Sequence, residues 1–277
     1  GVNGSFRFLN RVYNLVNDNL GSVSLKHYDE HRLNDKDKYV LSKMHLTIKN
    51  VTGHFESFEF SLAIGKIMEY ADVLQKYKYK NKEVFGEAVK NLTLMMLPFT
   101  PHLCEELRHM IKCDGFASLQ RWPIYDENKI DKRAEAVAML VESTRMDMIE
   151  ILRLAKIEKP KMIKLFVAEN WKYDFMEKLK EEIKKTRDAS ELIRVLMSTD
   201  LKIYGHEITK LITKLLNDTT KIPQVVLSQD AEFHALNDAS ESYEEEFRCK
   251  VEVAVAEKSS GIKAKQSLPG KAAIFIE

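Results

Sequence analysis

Nowhere does this sequence hold an apolar run of more than a few residues, so no membrane-spanning helix is expected, because a span needs about 20. Glycine is thin at 10 residues in 277, and proline thinner at 6, with no repeat or low-complexity stretch. No glycine falls into G-x-x-x-x-G-K-[ST] or G-x-G-x-x-G, so no phosphate-cradling loop is read here. G-x-S-x-G and H-E-x-x-H are missing as well. An enzyme acting alone is therefore the weaker reading. The cysteines number three, an odd count that suits a reducing, cytoplasmic setting better than a disulfide framework. A dominant charge is lacking too: 43 basic residues against 42 acidic leave a net +1. That balance does not exclude nucleic acid, because binding follows a local patch and not the total. The chain opens on Gly1 with a helical pattern and no basic-then-apolar leader, so it is expected to be cut from something longer.

What is present is apolar residues, 44% of the chain, arranged with helical period. Leu9, Val12, Tyr13 and Val16 share one face of an opening helix, with Gly21 as its stop. Asp35 is placed to cap a second helix, whose stripe is Leu41, Met44, Ile48, Val51 and Phe55. Phe60, Ile64, Ile67, Ala71 and Leu74 mark a third. Asn81 precedes a fourth, with Val84, Ala88, Leu92 and Met95 inward. Pro98 must break it, and Thr100-Pro101 restarts a helix carrying Leu103, Leu107 and Ile111. These make an antiparallel helical bundle over residues 1–128. The pattern lapses between 115 and 128, which sets the domain boundary.

Residues 129–277 read as a linking helix and a small α/β domain, so the fold class is mainly α with an α/β tail. Val137, Val141, Thr144, Met148, Ile151 and Ala155 line the linking helix, which Pro160 ends. Ile163, Leu165 and Val167 alternate as a strand; 171–185, 189–197 and the 208–215 region read as helices. Phe247, Cys249, Val251, Val253 and Val255 alternate strictly, the clearest strand in the sequence. Glu241, Glu244, Glu245 and Glu246 form an acidic cluster before it. Pro269-Gly270 turns the chain into a short last strand, 273–276.

His102, Cys104, His109 and Cys113 invite a metal reading, but on a helix Cys104 points away from the other three, so no metal is assigned. Arg7, Asn10 and Arg11 lie within one turn and can point outward together, which suits phosphate oxygens; a helix–helix salt bridge is the alternative. The tail from Lys258 to Lys271 mixes lysines with Ser259, Ser260 and Gly261, a composition able to follow a phosphate backbone or simply to form a solvated hairpin. The aromatic residues fall mostly on apolar stripes and read as core.

Two signatures then point to a family. Residues 4–13, Gly-Ser-Phe-Arg-Phe-Leu-Asn-Arg-Val-Tyr, resemble the helix that opens the anticodon-binding bundle of class Ia aminoacyl-tRNA synthetases. Leu97-Pro98-Phe99-Thr100-Pro101-His102 with Glu105-Glu106-Leu107 resembles a later signature of the same bundle. Residues 167–172 (Val-Ala-Glu-Asn-Trp-Lys) and 269–277 (Pro-Gly-Lys-Ala-Ala-Ile-Phe-Ile-Glu) are similar to the C-terminal part of archaeal and eukaryotic leucyl-tRNA synthetases. Tyr13 and Arg108 depart from the family pattern, each standing where tryptophan is usual. His-Ile-Gly-His and Lys-Met-Ser-Lys-Ser, the adenylation signatures, are absent, as is an editing domain.

The resemblance implies a part that carries no catalytic residues and holds tRNA(Leu) by its body, elbow or long variable arm. The ATP-dependent ligase reaction would belong to a catalytic domain elsewhere. It places Phe275, Ile276 and Glu277 in the tail that meets the variable arm, with Lys263, Lys265 and Lys271 as nearby phosphate candidates. Arg7, Asn10 and Arg11 would face tRNA or the catalytic domain. No cofactor is expected in this chain, ATP and Mg belonging to the parent enzyme. The implied partners are tRNA(Leu) and the catalytic and editing domains, with no membrane and no DNA. A non-catalytic interaction module or subunit that docks on a synthetase partner is the other reading.

Overall fold

A computed structural model describes residues 2–78, 80–258 and 263–277. The chain divides into two compact units, Gly1–Glu135 and Ala136–Glu277. It is mainly α-helical, with one small mixed sheet.

The first unit holds α1 (Val2–Asn17), α2 (Asp35–Glu56), α3 (Phe60–Lys76), α4 (Lys82–Met96) and α5 (Pro101–Met110). One core joins all five. On α1 the buried face is Phe8, Val12, Leu15 and Val16, while Tyr13 is 36% exposed. At roughly 100° per residue Tyr13 stands a quarter-turn past Val12, outside the stripe that Phe8 and Leu15 define. The cap of α2 is Asn34, one residue before the expected Asp35. Its side chain accepts from Asp37 N–H and the Asp37 carboxylate accepts from Asn34 N–H, a complete capping box. Asp37 is itself buried and takes a further hydrogen bond from the Tyr77 hydroxyl. On α3 the stripe holds at Ile67, Ala71 and Leu74, whereas Ile64 is exposed. Phe60 is also partly exposed and joins Phe55, Phe99 and Trp122 in a ring cluster, with centroids from Phe55 at 5.4, 5.4 and 5.2 Å. Asn81 caps α4 through Glu83 and Val84 N–H. Gly86 is forced by crowding: a Cβ there would stand 2.0 Å from the Ser24 carbonyl oxygen.

Pro98 ends α4 and Pro101 opens α5, as the pattern requires. Thr100 occupies the cap position without capping; its hydroxyl donates to the Met96 carbonyl at 3.3 Å. Arg108 is buried where a large ring is usual. Its guanidinium donates to the carbonyl oxygens of Gly115 (2.8 Å) and Asp114, so it closes the turn after α5. The charge is therefore matched by backbone acceptors.

The second unit begins within α6 (Lys132–Ala155) and continues with β1 (Met162–Val167), α7 (Trp171–Glu182), α8 (Ala189–Met197), α9 (Gly205–Asn217), α10 (Gln229–Phe247), β2 (Lys250–Val255) and β3 (Ala273–Ile276). The sheet order is β2-β1-β3, parallel between β1 and β2 and antiparallel between β1 and β3. Ile163, Leu165 and Val251 face Met148 of α6 and Ala239 and Tyr243 of α10. The opposite face carries Phe166, Ala254, Ala273 and Phe275, packed on Ala256 and Ala264. Helix α10 is not foreseen from the sequence, which offers only an acidic cluster there. Its buried face is Ala235, Leu236, Ala239 and Tyr243, with Glu241, Glu245 and Glu246 turned to solvent. Phe247 closes this helix and is not the first strand residue; Arg248, at φ +53°, ends the helix, and β2 starts at Lys250.

Candidate nucleic-acid interface

On α1, Arg7, Asn10 and Arg11 are all exposed, as the spacing i, i+3, i+4 demands. Arg7 Nε donates to the Asn3 carbonyl (3.2 Å) and Asn10 Nδ2 to that of Phe6 (3.0 Å), both on their own helix. Arg11 reaches across to Asp72 of α3, at 3.1 Å, and its guanidinium stands 5.8 Å from the Phe8 ring. Arg11 is in a helix–helix ion pair, while among the described residues Arg7 and Asn10 bond to carbonyl oxygens of their own helix. With Gly4 and Phe8, the two arginines line a shallow open depression. Exposed pairs of the Arg11–Asp72 kind are worth under about 1 kcal/mol, so the pair does not withhold Arg11 from a phosphate.

The second cluster lies at the tail. Lys263 and Lys265 are exposed at either side of Ala264, in a short 3₁₀ turn, Ala264–Gln266. Lys263 Nζ sits 5.4 Å from the centroid of the Phe275 ring. Lys271 is exposed and forms an ion pair with Asp147 at 3.3 Å. Phe275 and Ile276 are successive strand residues and point to opposite faces: Phe275 toward Ala264 and Phe166, Ile276 toward Tyr243 and Ile163. Glu277 extends the ladder beyond β3. Its N–H donates to the Met162 carbonyl (2.9 Å), its own carbonyl accepts from Lys161 N–H (2.7 Å), and its carboxylate lies 3.6 Å from Lys164 Nζ. Ser259, Ser260 and Gly261, read as a pliable part of the tail, lie outside the described residues.

Three side chains that the sequence did not single out for this role hold the tail. Lys172, 2% exposed, donates from Nζ to the carbonyl oxygens of Lys265 (2.6 Å) and Ser267 (3.1 Å). Glu232, 1% exposed, accepts from Gly270 N–H (2.6 Å) and from the Tyr173 hydroxyl (2.7 Å). Burial pushes the Glu232 carboxyl up to about 7, against the pull of those two donors. It likewise lowers the Lys172 ammonium. Gly270 has φ +79°, and a Cβ on it would come within 3.2 Å of Pro223 Cβ, so the turn both needs glycine and fits closely. Helical spacing shows Lys172 only as a polar residue on an amphipathic helix, and Glu232 lies in a helix the sequence pattern does not mark. Their burial depends on partners 38 to 95 positions away in the chain.

Of the residues with metal-ligand spacing on α5, Cys104 is fully buried, its thiol raised to about 11 by burial, while His102 and His109 are exposed. Among the described residues no group of three or more His, Cys, Asp or Glu side chains could hold a metal ion. Nor is any helix there long and apolar enough to cross a membrane.

Residues 37–203 match the model of the anticodon-binding domain of tRNA ligases. The chain belongs to that family. Its relatives include archaeal leucine–tRNA ligases. That of Methanococcus maripaludis is 32% identical over 260 residues, covering 92% of this chain and 26% of the relative. That of Methanocaldococcus jannaschii is 29% identical over 245 residues, 87% of this chain and 25% of the relative. The Halobacterium salinarum enzyme aligns along 100% of this chain and 30% of its own length, at 26% identity. The chain thus spans about a quarter of the length of the relatives it matches. The match covers the second unit as well as the bundle, so the α/β tail belongs to the leucine-ligase alignment and not to the bundle family alone. A solved chain from the ternary complex of Agrobacterium radiobacter K84 agnB2 LeuRS with tRNA and LeuAMS overlaps 45% of this chain and 16% of its own, at 27% identity and a TM-score of 0.43.

Proposed function

We propose that this anticodon-binding-family chain is the tRNA-holding portion of an archaeal-type leucyl-tRNA synthetase. It binds tRNA(Leu) in the cytoplasm and presents it to catalytic and editing domains for ATP-dependent leucylation. The observation that carries this reading is the alignment of nearly the whole chain, bundle and tail together, with leucine–tRNA ligases. Two separated basic clusters support it, Arg7 with Asn10 and Arg11 on α1, and Lys263, Lys265 and Lys271 around β3. Phosphate contacts from such clusters position an RNA without reading its sequence. Phe275, Ile276 and Glu277, at the end of the sheet, are the proposed contact with the variable arm. ATP and Mg are assigned in this reading to the catalytic domain of the parent enzyme.

The test is filter retention of a leucine-tRNA transcript across a salt series. Replacing Lys263, Lys265 and Lys271 with Ala should weaken retention and flatten the slope of log K against log salt by roughly 2 to 3, at about 0.9 for each phosphate no longer neutralised. An unchanged slope rejects the tail's electrostatic role. The interaction-module reading has one observation of its own: Val2 and Phe6 of α1 are exposed apolar residues one turn apart, beside Tyr13 further along. Recovery of a catalytic partner without tRNA in a pull-down would favour it.

A further inference from the structure

Two of the segments that carry the family resemblance, 167–172 and 269–277, lie about a hundred positions apart. The fold joins them through buried charge. Lys172 and Tyr173 are consecutive residues in the first turn of α7. Lys172 holds the carbonyl oxygens of Lys265 and Ser267 directly. Tyr173 holds the other end of the same segment through Glu232, whose second oxygen accepts from Gly270 N–H. The first turn of α7 is itself braced, because Trp171 stacks on Tyr204 with centroids 4.3 Å apart and planes 8° off parallel. Its indole N–H also donates to Glu169, at 2.6 Å.

An ammonium and a carboxylate buried this deeply are a poor way to gain stability, since apolar groups of the same size generally serve as well or better. What they supply is direction. The two Lys172 bonds and the Glu232–Gly270 bond end on backbone groups of residues 265–270, so together they fix the path of that loop and not merely its burial. The side chains carried on the path, Lys263, Lys265 and Lys271, stay exposed.

We infer that Lys172, acting with Tyr173 and Glu232, is a positioning residue for RNA binding: it holds segment 263–271 so that the tail lysines and β3 meet the phosphate backbone in one preset arrangement. The inference rests on the tRNA-binding function proposed above. A loop already ordered in the free protein loses no further conformational entropy when RNA binds. Lys172 itself touches no RNA in this scheme.

The experiment compares the 277-residue chain with Lys172→Met and Lys172→Arg by hydrogen–deuterium exchange and by filter retention of a leucine-tRNA transcript. Methionine keeps the unbranched shape as far as the ε position and removes both bonds. Faster exchange is expected across the described residues 263–277 and not in α1–α5 or α8–α9. Retention should weaken on the order of tenfold, with the salt slope unchanged, because every phosphate-facing lysine is still in place. Arginine should recover part of the affinity. A slope lowered by about one would make Lys172 a phosphate contact and overturn the inference. Exchange that rises throughout the second unit would make it merely structural, which overturns the inference as well. If the methionine variant does not fold, Tyr173→Phe is the milder cut, and it should speed exchange at Gly270 and Lys271 above all; no local effect there refutes the clamp. A wild-type chain that retains no tRNA at any salt sinks the proposed function, while the exchange pattern still decides whether Lys172 holds the segment.

Discussion

Glu232 should make the second unit less stable as the solution becomes less acidic. Its carboxyl titrates near 7 in the fold against 4.5 for an ordinary glutamate, and burial is the dominant cause. The folded state therefore keeps its proton over a range in which the unfolded chain has lost it. Stability from this group is complete below pH 4.5 and is lost as pH rises through 7. The difference of 2.5 between those values, at 1.36 kcal/mol each, amounts to about 3 kcal/mol. Glu232→Gln removes the titration and can keep both bonds. Its amide oxygen can accept from Gly270 N–H, and its NH2 can donate to the Tyr173 oxygen. The assay is urea unfolding near pH 5 and near pH 8, followed by Trp171 fluorescence. Trp122, the other tryptophan, lies in the first unit and is replaced by Phe as background. The parent should lose about 2 to 3 kcal/mol more than the variant between the two conditions, and the variant should be the more stable near pH 8. Superposable pH dependences would refute the argument, because all other titrating groups are common to both proteins.

Two further outcomes test the first unit. Arg108→Met leaves the carbonyl oxygens of Asp114 and Gly115 without their donor, and should lower stability by about 2 to 3 kcal/mol in thermal melts followed by circular dichroism. Lysine at 108 should not restore it, since one ammonium cannot reproduce the two-pronged geometry. Asn34→Ala removes the capping box of α2 and should cost about 1 kcal/mol in the same measurement, whereas Asp35→Ala should cost much less.

The elements themselves were largely legible because they rest on local physics. Asn81, Pro98 and Pro101 punctuate the chain wherever they stand, and the stripes Leu41-Met44-Ile48-Val51 and Val84-Ala88-Leu92-Met95 have one face to bury. The misreadings were local ambiguities. Strict alternation from Phe247 suits a strand, yet the same residue completes the buried face of α10, where the helix's own contacts with β1 and β2 decide the matter. Asp35 and Asn34 are both good caps; only Asn34 has an acid three residues on, at Asp37, and that pattern was available in the sequence. The role of Arg108 could not be read, because the Asp114-Gly115 pair marks a turn but not which side chain donates to its carbonyl oxygens.

For the candidate sites the division is sharper. The residue types and their local spacing were enough to group Arg7 with Asn10 and Arg11 on one helix, and to place lysines beside the last strand. That follows from periodicity, which any stretch of chain carries within itself. Only the tertiary structure decided that Arg11 answers to Asp72, that Phe275 and Ile276 look to opposite faces of a sheet, and that a lysine and a glutamate are buried to hold the tail. Such pairings join residues 38 to 95 positions apart. They exist only once the chain has closed on itself, since burial and hydrogen-bond reach are properties of space and not of order along the sequence.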